Sequence, residues 1–337
     1  MPGRPSQRDI ARVAGISQST VSIVLNGRAD EYGIAAATRD KVREAMRQLG
    51  YVPDVAGRSL RGGRNGLIGV HTFERVFPVR SHDYYHEFLI GIEEKAVELG
   101  QDLVLFASTQ GPDGTRSIYG AGANRLRLAD GAIILGLERN DDELVRLAAE
   151  GFPFVFIGRR DVPGAQVPYV AADYAGAIAD VVERLSEAGH TRAGYLGGTL
   201  RRGPQEERRA AFHRSRLAAS PPVLVEAEAV TGRWLREVLT SATTALLVET
   251  FELAGAVAAA ALAEGVEIPG DLSVVCLDLL PDSPATRGWS HIPVPKREMG
   301  ARAVALLLDL LDGEIPADHH ETVPCGPPVG TTIKPPR

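Results

Sequence analysis

Apolar residues follow two regimes along this chain. Between Gln7 and Leu49 they recur at helical spacing. From Leu67 onward they gather into short runs separated by helical stretches. In the first regime Ile10, Val13 and Ala14 fall at i, i+3 and i+4 and predict a helix over Gln7–Ala14. Gly15 supplies a left-handed stop, and Ser17 can cap the helix that follows by accepting a backbone N–H. In that second helix Val21, Val24 and Leu25 face inward. A third runs over Thr38–Leu49, with Val42, Ala45, Met46 and Leu49 as its inner stripe.

The second regime reads as buried parallel strands at Leu67–Val70, Leu103–Phe106, Ala132–Leu135 and Phe154–Ile157, with helices at Glu87–Leu99 and Asp142–Ala149. The pattern restarts with strands at Gly194–Leu196, Leu246–Val248 and Leu272–Leu277, and helices near Ala175–Ala188, Glu206–Ala218 and Leu253–Glu264. This β-α-β rhythm, occurring twice, predicts an α/β fold of two doubly wound parallel-sheet subdomains behind an all-α head.

The second helix of the head bears small polar groups on its other faces. Gln18 can bond adenine with two hydrogen bonds, and Ser19 and Ser22 can serve several bases. Thr20 and Ser22 suit phosphate oxygens, which fix position. Two short helices joined by a tight turn, the second so furnished, fit the major groove of double-stranded DNA.

Net charge is −6 over 337 residues, which by itself disfavours DNA. Its distribution reverses that reading. Residues 1–64 hold 11 Lys and Arg against 6 Asp and Glu, a net of +5, and the remainder carries −11. A basic head on an acidic body steers the head to DNA and keeps the body off it. Cys276 and Cys325 have neither metal nor redox spacing and read as free thiols. The eight histidines show no metal pattern, so no cofactor or metal is expected. The start of the chain does not read as a secretion signal, and no apolar run is long enough for a membrane span. The expectation is a cytoplasmic, nucleoid-associated protein with no membrane partner. No phosphate-binding glycine loop or nucleophile elbow is found, so an enzyme is not expected.

The stretch Asp9–Gly27, DIARVAGISQSTVSIVLNG, resembles the headpiece of the LacI/GalR repressors. So do TRDKV at Thr38–Val42 and LGYVPDVAGRSLR at Leu49–Arg61, and a looser likeness runs almost to the end of the chain. The resemblance implies a headpiece over 1–52, a hinge helix and linker over 53–65, and an effector-binding, dimer-forming core over 66–337 of periplasmic-binding-protein type. Within that core it implies an N-subdomain of about 66–168 and 292–323, and a C-subdomain of about 169–291 and 324–337. It further implies that Ser17, Gln18, Ser19, Thr20, Ser22 and Asn26 meet DNA. In the hinge it adds Arg58 and a minor-groove wedge at Leu60, which unstacks a base step and bends the duplex.

In the headpiece and hinge, three residues depart from the family pattern. Ile23 stands where Arg is usual, removing a charged donor and implying a different operator or weaker binding. Ala35 stands where a capping Ser is common. Gly57 stands where Ala is usual, at a cost of about 1 kcal/mol in a helix.

Open parallel sheets bind ligands at their carboxyl edges. There the resemblance points to Tyr84, Tyr85, Arg159, Asp173, Arg208 and Asp278 as effector contacts. Phe251 falls in a pair that is commonly Asn-Asp in the family, and Trp289 begins the segment that is usually LTTV; facing the cleft, both would make it more aromatic. The function implied is a homodimeric transcriptional regulator, a repressor on a palindromic operator, released or engaged by a sugar, polyol or nucleoside-like effector. The alternative is a DNA-binding regulator of the same fold without an effector.

Overall fold

The computed structural model describes residues 5–25, 27–51, 64–74, 84–108, 110–111, 116–120, 122–137, 140–199, 203–218, 221–278 and 284–337. The chain divides into two compact units, Met1–Asn65 and Gly66–Arg337.

The first unit is built on local signals. Helix α1 (Gln7–Ala14) starts at a reciprocal cap, in which the Asp9 amide donates to Ser6 Oγ and the Ser6 amide donates to Asp9 Oδ2 at 3.0 Å. It stops at Gly15, whose φ of 65° suits glycine. Helix α2 (Gln18–Leu25) begins where the Thr20 amide donates to Ser17 Oγ at 3.1 Å. Helix α3 (Ala36–Leu49) begins two residues before the predicted Thr38, and Ala35 gives it no side-chain cap. Ile10, Ala11, Val21, Val42 and Ala45 form the buried core of this unit. Val13, predicted to face inward, is 44% exposed. Ala11 is buried in its stead because α1 rolls that edge onto α3.

The second unit holds two parallel sheets. The first has the order β13-β7-β6-β5-β1-β2, with β1 (Leu67–Thr72), β2 (Asp102–Phe106), β5 (Gly131–Leu135), β6 (Phe154–Ile157), β7 (Tyr169–Ala172) and β13 (His320–Val323). The second has the order β12-β11-β10-β8-β9, with β8 (Ala193–Gly197), β9 (Val223–Leu224), β10 (Ala245–Val248), β11 (Ser273–Cys276) and β12 (Ser290–His291). A small antiparallel pair, β3 (Tyr119–Gly120) and β4 (Ala123–Asn124), stands apart. Buried runs such as Gly131–Leu135 are apolar throughout because parallel strands are covered on both faces.

Tyr169–Ala172 was assigned by resemblance to the C-subdomain. The structure corrects this, since β7 pairs with β6 and β13 inside the first sheet. The chain crosses only after Ala172, where helix α6 (Tyr174–Glu187) packs its apolar side into the second lobe. Lobe two then takes α7 (Gly203–His213), α8 (Gly232–Thr240) and α9 (Phe251–Glu264). The first lobe carries α4 (His86–Glu98) and α5 (Asp141–Ala149), and receives α10 (Lys296–Asp312) only after the second sheet is laid down.

Helix α10, unforeseen in the sequence, packs along α4 at glycine distance. A Cβ on Gly91 would lie 1.9 Å from the Arg297 carbonyl oxygen, and one on Gly300 would lie 2.2 Å from that of Phe88. These two glycines let the helix backbones touch. The final residues return to lobe two, where the Thr332 amide donates to Ser290 Oγ and the Lys334 amide donates to Ser273 Oγ.

Candidate DNA-reading face and effector cleft

On the headpiece, α2 turns Gln18 and Ser19 to solvent, with Thr20 and Ser22 half-buried beside them. Ser17 is the hub of this face. Its hydroxyl lies 2.7 Å from Ser19 Oγ and 2.8 Å from Thr20 Oγ1 while it caps the helix. Arg8 Nε donates to Gln18 Oε1 at 3.4 Å, which leaves the Gln18 amide nitrogen to donate outward. Asn26, Arg58 and Leu60, expected to touch DNA, and Gly57 lie outside the described residues. Several headpiece arginines sit in exposed pairs three residues from an acid, as in Arg12–Asp9, Arg28–Glu31 and Arg47–Glu44. Such pairs contribute at most about 1 kcal/mol, so a phosphate can replace the carboxylate at little cost.

Between the lobes of the core lies a cavity of about 500 Å³ at the carboxyl edge of the first sheet. Tyr84, Tyr85, Phe88 and Phe156 make an aromatic wall, and Arg159, Arg160 and Asp161 form a polar rim after β6. The second lobe contributes Tyr174 and the first turns of α7, with Glu206 and Glu207. Tyr84 and Tyr85 meet edge-on, ring centres 5.1 Å apart, and the Tyr85 hydroxyl donates to Glu74. Arg159 Nε pairs across the cleft with Glu207 Oε1 at 3.5 Å. Burial nevertheless raises the Glu207 pKa, opposed by Arg159 and assisted by Asp161.

The remaining expected contacts divide. Arg208 is 4% exposed, its guanidinium 4.3 Å above the Tyr174 ring, and its Nε has no hydrogen-bond partner. Burial opposes its charge, but Tyr174 and Asp278 outweigh that and hold its pKa above the ordinary arginine value. Asp278 accepts from Lys296 Nζ at 3.3 Å. Burial pushes the Lys296 pKa down, and Asp278 pulls it back up. Asp173 is occupied as the cap of α6, accepting from the Gly176 amide at 2.8 Å, and none of Asp173, Arg208 and Asp278 lines the cavity.

Two aromatic expectations fail. Trp289 is 6% exposed and packs with Val274 and Cys276 in the core of the second lobe, because its place ahead of β12 turns it away from the cleft. Phe251, the first residue of α9, is 42% exposed and lies outside the cavity lining. Cavity-lining residues that the sequence reading passed over include Tyr174, Arg160 and Glu207, and it also passed over Lys296, which pairs with Asp278 outside that lining. Lys296 carried a usable signal, since a cation in the first turn of a helix opposes the helix dipole.

Among the described residues no cluster of three metal-binding side chains occurs, and no helix is long and apolar enough to cross a membrane. Both cysteines are free thiols.

A recognition helix on a small three-helix head, joined in one chain to a two-lobed core with a polar and aromatic cleft, defines a ligand-responsive DNA-binding regulator. The family models agree. Residues 7–54 match the bacterial regulatory proteins of the lacI family, and residues 182–333 match the periplasmic binding protein-like domain. The chain is 31% identical to the HTH-type transcriptional regulator CelR of Thermobifida fusca over 326 residues, covering 92% of this chain and 93% of that protein. It is 27% identical to catabolite control protein A of Priestia megaterium over 318 residues, covering 91% and 92%. Among solved structures, a CelR–cellobiose complex superposes with a TM-score of 0.62 at 25% identity, covering 98% of this chain and 100% of that one. The lac repressor dimer bound to operator and the anti-inducer ONPF superposes with a TM-score of 0.69 at 22% identity, covering 98% and 99%. The chain belongs to the LacI family of transcriptional regulators.

Proposed function

We propose that this regulator is a repressor that binds a palindromic operator as a homodimer in the cytoplasm and responds to a small molecule held between the core lobes. Gln18, Ser19 and Ser22 read base edges in this account. Ser17 and Thr20 order the face and meet phosphate, with Asn26, Arg58 and Leu60 completing the contact. Tyr84, Tyr85 and Arg159, which line the cavity, are the effector contacts in this account, with Arg208 and Asp278 joining them once the lobes rearrange around the ligand.

The observation that carries the effector role is the cavity of about 500 Å³ walled by tyrosines and rimmed by Arg159, Arg160 and Asp161. The solved CelR relative is a complex with cellobiose, which supports a sugar-like ligand. A ligand that favours one arrangement of the lobes changes operator affinity, and operator changes ligand affinity by the same factor.

The test is sequencing of genomic fragments bound by the purified protein, followed by gel shifts on the recovered palindrome with and without a panel of sugars, polyols and nucleosides. Specific binding altered by one panel member is expected. Specific binding unmoved by every member would favour the second reading, a regulator without an effector. That reading draws on the sequence at Thr250–Phe251, where the polar pair usual in the family is missing.

A further inference from the structure

The lobes of the core are tied by ion pairs at two depths. The inner pair, Lys296 Nζ to Asp278 Oδ1 at 3.3 Å, has side chains only 7% and 17% exposed. It joins the first residue of α10 to the chain just after β11, beside the crossover at Pro293–Pro295. Breaking a buried pair leaves an uncompensated charge, so this one acts as a fixed pivot. The outer pair, Arg159 Nε to Glu207 Oε1 at 3.5 Å, has side chains 43% and 25% exposed. Water weakens it, so it can open.

Both members of the outer pair line the cavity, and the segments that carry them meet a second time. Arg159 leaves β6 through Gly158, whose φ of 107° favours glycine. Its carbonyl oxygen faces the start of α7, where a Cβ on Gly203 would lie 3.9 Å away. Glu207 sits one turn further along that helix. Behind the Arg159 guanidinium lies the Tyr169 ring of β7, its centre 5.6 Å away, and that ring stacks on His320 of β13 with centres 4.0 Å apart. Three strands of the first sheet therefore aim Arg159 at α7. Glu207 depends on it in turn. Burial raises the Glu207 pKa, and Arg159 leads the opposition, helped by Arg208 and countered by Asp161 and Asp173. The neighbouring charges have other engagements: Arg160 donates to the Gly136 carbonyl and lies over the Phe156 ring, and Glu206 takes Arg209.

We propose that Arg159 and Glu207 form a latch across the rim of the cleft, which holds the lobes together in the effector-free protein and thereby sets its operator affinity. The claim rests on the core controlling operator binding and names what holds that core at rest. An effector entering between the lobes meets Arg159 and competes with Glu207 for it. That competition gives the ligand unequal affinity for the latched and unlatched arrangements, which any ligand needs in order to shift them.

The test is a charge swap in the full-length protein without effector, read in two ways. Nitroxides on non-canonical residues at Asp142 of α5 and Arg233 of α8, both exposed, report the distance between lobes by pulsed electron resonance. Gel shifts on the recovered palindrome report operator affinity. Arg159→Glu and Glu207→Arg, each alone, should broaden the distance distribution and change operator affinity about threefold or more, in the same direction. The two together should return both readouts towards wild type, a rescue that a purely structural role does not give. Glu207→Gln, which removes charge without adding repulsion, decides the point should a reversal fold poorly. A distance distribution unmoved by all of these would overturn the latch and leave the effector reading intact. A moved distribution with unchanged operator affinity would overturn the regulatory claim, together with the coupling of cleft to headpiece on which it rests.

Discussion

The headpiece and the core treat charge in opposite ways. Arg12, Arg43 and Arg47 of the headpiece pair with nearby acids while remaining 67–77% exposed. Arg208 and Lys296 of the core are almost wholly buried and share Asp278. Exposed pairs exchange partners readily and are screened by salt, which suits a surface that must slide along many phosphates before finding its sequence. Buried cations cannot be satisfied by water, so they depend on fixed partners such as Asp278. One unit is built for encounter and the other for selection.

The comparison can be broken most forcefully at the headpiece core, which is small. Val21→Asp places a carboxylate among Ile10, Val42 and Ala45, and burial of an unpaired charge costs several kcal/mol. Operator binding should disappear in a gel shift, while calorimetry still shows the unfolding transition of the core. Loss of both transitions together would mean that the two units do not fold separately.

Salt comes next. Operator affinity should fall about a thousandfold or more between roughly 50 and 200 mM salt if six or more phosphates are contacted. Effector affinity, measured over the same range, should change about twofold at most, because partly buried charges are screened much less than exposed ones. Parallel salt slopes would erase the distinction.

Third, Arg208→Met should weaken effector binding by about ten- to a hundredfold, the range of a lost charged hydrogen bond. Operator binding without effector should match wild type, because the substitution leaves the headpiece unit and the Arg159–Glu207 pair untouched. A large fall in melting temperature would show that the guanidinium serves the fold.

The smallest effect expected is a pH dependence in the first lobe. His71 is 1% exposed, and burial, opposed by the Phe106 backbone and aided by Arg116, lowers its pKa from 6.5 to about 4. The folded state therefore prefers the neutral ring. Its contribution is complete above the unfolded pKa of 6.5 and is lost as pH falls towards about 4. Between about pH 6.5 and 5.5 the loss is about 1 kcal/mol. His71→Leu should flatten the melting-temperature profile over that interval, and an unchanged slope would assign the acid sensitivity to other groups.

The headpiece was readable because its signals are local. Caps, a left-handed glycine and helical spacing lie within a few residues of what they control. The central strands were readable for a similar reason, as apolar runs bounded by turns. Helix α10 escaped because Pro293 and Pro295 make its approach look like a linker, and β7 because YVAA is short and sits at a crossover. The cleft was half legible. Tyr84, Tyr85 and Arg159, named by resemblance, line the cavity, whereas the orientation of Trp289 and the meeting of Lys296 with Asp278 depend on which faces two distant segments present to each other.

The interleaving of the lobes also governs the birth of the protein. The first sheet has its edge strand β13 and its covering helix α10 encoded after the whole of the second sheet, and the second sheet is stitched by residues beyond Val329. At ribosomal speeds of about 5–20 residues per second, the Leu67 strand waits on the order of ten seconds or longer for its last partners. The headpiece, whose contacts are all short-range, can fold as soon as it emerges. A nascent chain thus carries a finished DNA-binding head long before it has a body able to restrain it.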